Sequence, residues 1–177
     1  RTAGNQERGF RLGGLGPMTG ANALPTLGGN AARAQDINDL GYVVGRSRQA
    51  GSNDYFATLW DPTNGVWNLG TLGGLQASAR ALNNSNLVVG ASAWKPGDSG
   101  FSDQRAFVWD GVNGMRDVND LVPFGVDVVA RALNDVNDSG WMVGNGNRFS
   151  DNSKRPLLFK PATRLTHGHT DIGLAFE

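Results

Sequence analysis

The chain contains no cysteine among its 177 residues. A disulfide framework and any thiolate metal site are thereby excluded. Histidine is nearly missing as well, with two copies, His167 and His169, close to the end. No Gly-x-Ser-x-Gly elbow occurs, and no Ser/His/Asp set suggests nucleophilic catalysis. Carboxylates are scattered through turns, and spacing alone pairs none of them as an acid/base couple. No excess of one charge exists: 16 Lys+Arg balance 16 Asp+Glu. Nucleic acid and anionic membrane surfaces need clustered cations, so neither is an expected partner. No apolar run approaches the ~20 residues that carry a helix across a bilayer. The Leu-Gly-Gly stretches open no helix, which removes a phosphate cradle. The chain begins at Arg1 without Met or an apolar signal core, and is expected to be a processed or trimmed product.

What the chain has is glycine, 26 residues of it, and a low charged fraction of 18%. Its polarity comes from Asn, Asp, Ser and Thr, which favour turns. Short apolar runs between such turns read as all-β. One pattern occurs three times. Ala32-Arg33-Ala34, Ala79-Arg80-Ala81 and Ala130-Arg131-Ala132 each precede a glycine-closed run. The runs are Gly41-Tyr42-Val43-Val44-Gly45, Asn86-Leu87-Val88-Val89-Gly90 and Gly140-Trp141-Met142-Val143-Gly144. An aromatic follows each: Trp60, Trp109 and Phe159. A period of roughly 40–50 residues marks stacked copies of one supersecondary unit. In the second copy the strands are expected at 77–82, 87–92, 106–109 and 115–118, with Asn113-Gly114 turning the last hairpin. Four short strands per copy are the content of a propeller blade.

The expected fold is therefore all-β: a β-propeller-like array of about three four-stranded blades plus an extra N-terminal strand. The blades span 24–70, 71–121 and 122–168 of a single domain, 1–177. Leu12-Gly13-Gly14-Leu15-Gly16 matches Leu69-Gly70-Thr71-Leu72-Gly73, which places an orphan fourth strand at 9–16. The last strand of the third copy is expected within 165–174. Three blades leave open edges, an invitation to association. A second chain, a longer array or another closed packing would satisfy them.

Four motifs carry a resemblance. They are Leu69-Gly70-Thr71-Leu72-Gly73-Gly74, Ile37-Asn38-Asp39-Leu40-Gly41-Tyr42-Val43-Val44-Gly45, Ala106-Phe107-Val108-Trp109-Asp110 and Gly114-Met115-Arg116-Asp117. In this order they resemble the HAF-repeat proteins, over about residues 24–165. The family's His-Ala-Phe is here Arg105-Ala106-Phe107, and the first copy has only Tyr55-Phe56-Ala57. The resemblance implies export and a propeller-like fold; it implies no reaction.

Candidate sites follow from what escapes the repeat. The segments 46–55, 94–104 and 145–155 are read as long, unlike loops joining second and third strands, and so as one contact face. They hold the partner-binding candidates Arg46, Arg48, Tyr55, Trp94, Phe101, Arg148 and Phe149. Trp94 is the candidate for stacking on a sugar or an aromatic side chain. Trp60 and Trp109 are read as core. Arg33, Arg80 and Arg131 recur at one place and are expected to pair with Asp between blades. Asp135-Val136-Asn137-Asp138-Ser139-Gly140 opens like a calcium loop, but position twelve is Gly146 instead of a bidentate acid. Asp135 and Asn137 are thus weak calcium candidates beside a plain turn. The His167-Gly168-His169 pair would put two imidazoles on one strand face, without further ligands. No metal or cofactor is assigned. The functional expectation is a non-enzymatic, exported β-repeat protein of the extracellular space or bacterial envelope, including the periplasm. It would act as a protein-interaction or structural subunit and self-associate through open blade edges. A carbohydrate-binding module is the alternative, and a hydrolase of unknown type the third reading.

Overall fold

The computed structural model describes residues 7–12, 23–98, 103–161 and 174–175. They form an all-β molecule of three antiparallel sheets, each a simple meander. Sheet I comprises β1 (Gly28–Ile37), β2 (Val43–Gln49), β3 (Tyr55–Trp60) and β4 (Val66–Gly70). Sheet II comprises β5 (Ala77–Leu82), β6 (Val88–Ala93), β7 (Gln104–Asp110) and β8 (Gly114–Asp117). Sheet III comprises β9 (Val128–Val136), β10 (Met142–Arg148) and β11 (Lys154–Pro161), with a two-residue β12 (Leu174–Ala175) on the outer edge. A 3-10 turn, Val118–Asp120, follows β8.

The three sheets share one register. Val43 faces Trp60 across β2–β3, Val88 faces Trp109, and Met142 faces Phe159. Each first strand carries a bulge at the matching place, between 34 and 36, 79 and 81, and 133 and 135. The glycine that closes each apolar run sits beside this bulge. A Cβ on Gly45 would lie 2.0 Å from the Arg33 carbonyl oxygen. On Gly90 it would lie 2.2 Å from that of Ser78, and on Gly144 2.1 Å from that of Ala132. Only glycine lets the two backbones approach so closely. The turns between first and second strands match too. Positive φ falls on Gly41 (81°), Asn86 (58°) and Gly140 (78°), so Asn86 takes the left-handed place that glycine holds in the other two.

The sheets stack face to face through their apolar sides. Val44, Leu59, Ala79, Val88 and Phe107 fill the layer between sheets I and II. Val89, Val108, Leu133, Met142 and Phe159 fill the layer between sheets II and III. Alternation explains the pattern: neighbouring strand residues point to opposite faces, so Val88 serves one layer and Val89 the next. Trp60 and Phe159 are fully buried, whereas Trp109 is half-buried at the edge of its layer.

The far side of sheet I is covered by the N-terminal residues. Leu24 packs on Val43 and Trp60, and the Trp60 indole N–H donates to the Pro25 carbonyl at 2.7 Å. Phe10 pairs antiparallel with Ala23, and the Leu24 N–H donates to the Gly9 carbonyl at 2.8 Å. The described part of the expected strand at 9–16 thus meets residues 23–24. Residues 13–16 lie outside the described residues. So do 165–173, where the last strand was expected to begin, and the His167-Gly168-His169 pair.

Two of the three expected long loops are short. The second strands run on to Gln49 and Arg148, and the third strands start at Tyr55 and Lys154, leaving connections of 50–54 and 149–153. Arg46, Arg48, Tyr55 and Arg148 therefore stand on strands. The polar run Arg46-Ser47-Arg48 looks like a loop in the sequence. It continues the ladder because Ser47 is buried and its hydroxyl accepts the Leu27 N–H at 3.0 Å. Only 94–103 is a long connection.

Candidate functional site

The turns of the three sheets lie side by side at one end of the stack, joined by an asparagine ladder. Asn38, Asn83 and Asn137 each close their own turn: Oδ1 accepts the N–H of Tyr42, Leu87 and Trp141 at 3.0, 3.0 and 2.9 Å. The Asn38 amide then donates to the Asn83 carbonyl at 3.0 Å, and the Asn83 amide donates to the Asn137 carbonyl at 3.1 Å. A second rail runs beside it. Asn84 Oδ1 accepts the Asp39 N–H at 3.0 Å, and Asp138 Oδ1 accepts the Asn84 N–H at 2.8 Å. Asp36 Oδ2 accepts the Leu82 N–H at 3.0 Å. These bonds explain why turn formers were needed at these positions twice over.

The residues considered for calcium take part in the turns. Asn137 Oδ1 is committed to its turn, and Asp135 Oδ1 accepts the N–H of Val136 at 2.8 Å. Among the described residues no three His, Cys, Asp or Glu side chains gather as a metal site.

The opposite end carries the partner-binding candidates, in three groups. Arg46 and Arg48 project from the same face of β2, and their guanidinium carbons lie 4.4 and 4.8 Å from the Tyr55 ring centroid. Such stacking holds the cations in place. Arg148 reaches Asp127 at 3.4 Å and Asp151 at 4.0 Å, beside the exposed Phe149. Phe149 and Phe124 border a cavity of about 410 Å³ that also touches Arg105 and Val128. Trp94 begins the long connection; Phe101, on the same connection, lies outside the described residues.

Trp94 lies at a second cavity, of about 540 Å³, with Leu72, Met115, Arg116, Asp117 and Asp120. Arg105 covers its ring, with the guanidinium carbon 3.7 Å from the centroid, and Lys95 stands 5.1 Å away. Asp117 fixes Arg105 through an ion pair of 2.9 Å. The Trp94 indole N–H is buried and has no hydrogen-bond partner among the described residues. Nearby, Asp103 accepts from Lys95 and Arg131, which holds its carboxyl down at about 2.

Arg105 is the residue that sequence reasoning missed. It borders both cavities. Its signal was present: a long cation directly before Ala-Phe, on the strand that pairs with Ser92, two residues from Trp94. The recurring arginines divide. Arg131 pairs with Asp103 between sheets II and III, as expected of all three. Arg33 pairs instead with Glu7, and Arg80 donates to the neutral Asn134.

Comparison with family models, with curated proteins and with solved structures gives no match.

Proposed function

We propose that the chain is an exported, non-enzymatic repeat protein of propeller-like design that works as a structural or protein-interaction subunit. A second copy extends its stack of sheets. The observation that carries this reading is a mismatch between equivalent positions. Val44 and Val89 occupy the same place in sheets I and II, each 0% exposed beneath the next sheet. Val143 occupies that place in sheet III and is 44% exposed. Leu59 and Val108 are buried, while their counterpart Leu158 is only partly covered. At the other end of the stack Ile37 is 56% exposed, although its counterparts Leu82 and Val136 are buried. Phe10 and Leu12 are exposed at that end as well. Apolar residues bared on sheet III at one end, and Ile37, Phe10 and Leu12 exposed around the N-terminal cover at the other, suit head-to-tail contact between copies.

Val143 and Leu158 are already partly covered, so burying what remains contributes about 1–2 kcal/mol. A micromolar complex needs about 8 kcal/mol, so the ladder and the N-terminal apolar residues must add to the contact. Light scattering tests this at protein concentrations up to about 100 µM, the range such energies imply. The expected result is a species larger than one chain, and Val143→Arg returns it to a monomer with an unchanged melting temperature at low concentration. A wild-type monomer at every concentration would sink the reading. Export and membership of the HAF-repeat group rest on the sequence resemblance; signal-dependent secretion of the precursor tests the first.

A second reading is favoured by the Trp94 indole N–H at its cavity, which has no partner among the described residues. A glycan could accept that hydrogen and stack where Arg105 now lies. Glycan-array binding that Trp94→Ala abolishes would support it, and a blank array would remove it.

A further inference from the structure

A further cavity, also of about 540 Å³, opens between sheets II and III at the asparagine-ladder end. The buried Val108 and Met142 reach it from the core layer, and Leu87, Leu121 and Pro161 add apolar wall. The repeat shows what this copy lacks there. Tyr42, Leu87 and Trp141 hold one position, each directly before the register-matched Val43, Val88 and Met142. Tyr42 packs into the layer between sheets I and II, on the same side of its strand as Val44. Leu87 packs into the next layer, on the side of Val89. Two copies thus carry an aromatic ring at this position, and the copy that lines the cavity carries a branched aliphatic chain. The facing position is smaller as well: Trp109 borders the first layer, and Phe159 the second.

The mouth differs in the same sense. Thr63 and Val112 are equivalent, each donating its backbone N–H to the aspartate two residues before it, Asp61 or Asp110, at 2.8 and 2.9 Å. The Thr63 hydroxyl donates to the same oxygen at 2.7 Å. Val112 instead sets an apolar side chain, 93% exposed, at the rim. Charge then sorts the occupant. Asp110 and Asp138 line the cavity, and no Lys, Arg or His is among its lining residues. Arg116 pairs with Asp110, whereas Asp138 accepts from the neutral Asn84, so the rim keeps a negative charge. The hydroxyls of Ser85 and Ser139 stand beside it.

We propose that this cavity binds a small uncharged phenol, its ring against Leu87, Leu121 and Met142 and its hydroxyl donating to the rim. An aromatic body with one polar tip matches an apolar interior with acceptors at the mouth. The Met142 side chain is unbranched and adapts to a flat ring. The volume falls in the range of small-molecule sites. The carboxylates oppose an anionic ligand of the same shape.

The test is titration of the intact protein with 4-methylphenol, 2-naphthol, 4-hydroxybenzoate and cyclohexanol, up to millimolar concentrations. The Met142 and Leu87 methyl NMR signals and the melting temperature are followed together. The expected result is a saturable shift of both signals and a higher melting temperature with the two neutral phenols. Binding of 4-hydroxybenzoate and of cyclohexanol is expected to be at least tenfold weaker. Leu87→Tyr restores the ring of sheet I and is expected to abolish binding. Val112→Thr restores the exposed threonine, leaves the fold intact and is expected to weaken binding several-fold. No shift at Met142 with either phenol, equal binding of cyclohexanol or 4-hydroxybenzoate, or full binding by a folded Leu87→Tyr variant would overturn it. The cavity lies within one chain, so none of these results depends on whether copies associate.

Discussion

Gly45, Gly90 and Gly144 were visible in the sequence as punctuation, and their reason is steric. Each stands where the neighbouring strand's carbonyl fills the space of a Cβ. Gly90→Ala is therefore expected to destabilise by about 2–3 kcal/mol, the cost of overpacking a filled site. Urea denaturation measures it, and a change within 0.5 kcal/mol would contradict the close approach. Acid behaviour belongs to the same scale. The Asp103 carboxyl is held at about 2 by hydrogen bonds first from Lys95 and then from Arg131. An unfolded chain gives it about 3.9. Its contribution is present above pH ~4 and is lost as pH falls through about 2. Asp61 behaves alike, held at about 2 chiefly by the Thr63 hydroxyl, then by the Gly65 N–H. Melting temperature followed from pH 5 to pH 2 is expected to fall less steeply in Asp103→Asn and Asp61→Asn than in the wild type.

Strands and turns were legible because their causes are local. Val43-Val44, Val88-Val89 and the Asn-closed turns announce themselves within five residues. What the sequence could not disclose joins residues 45 or 54 positions apart, as Asn38 to Asn83 and Asn83 to Asn137 do. Nor could it disclose that Arg46-Ser47-Arg48 is strand, since a polar run reads as loop unless its burial is known. The stacking of Arg105 on Trp94 was hidden for a similar reason: it spans the long connection between β6 and β7. The ladder yields a comparison between elements. Asn83→Ala loses two turn-closing bonds and the inter-sheet donor. Its cost is expected at about 2–3 kcal/mol, at roughly 1 kcal/mol per bond. Asn137→Ala loses the bond to Trp141 and is expected to cost about 1 kcal/mol. Equal costs in chemical denaturation would mean that the inter-sheet bond contributes little.

At the scale of the molecule, sheets I and II each have a neighbour on the side where sheet III bares Val143. If copies complete that side, stability is tied to concentration. The wild-type melting temperature is expected to rise with protein concentration, and that of Val143→Arg to stay constant. Differential scanning calorimetry over a hundredfold dilution distinguishes them. The ladder adds a constraint that the apolar surface alone does not. Along the Asn38–Asn83–Asn137 rail the side-chain amides donate from sheet I to sheet II and from sheet II to sheet III, while Leu82 and Asn84 donate back to Asp36 and Asp39. That one rail is thus directional, with a receiving end at sheet I and a giving end at sheet III. If copies join head to tail as proposed, a closed object counts its sheets in threes, and an unclosed one becomes a filament whose length is set by supply.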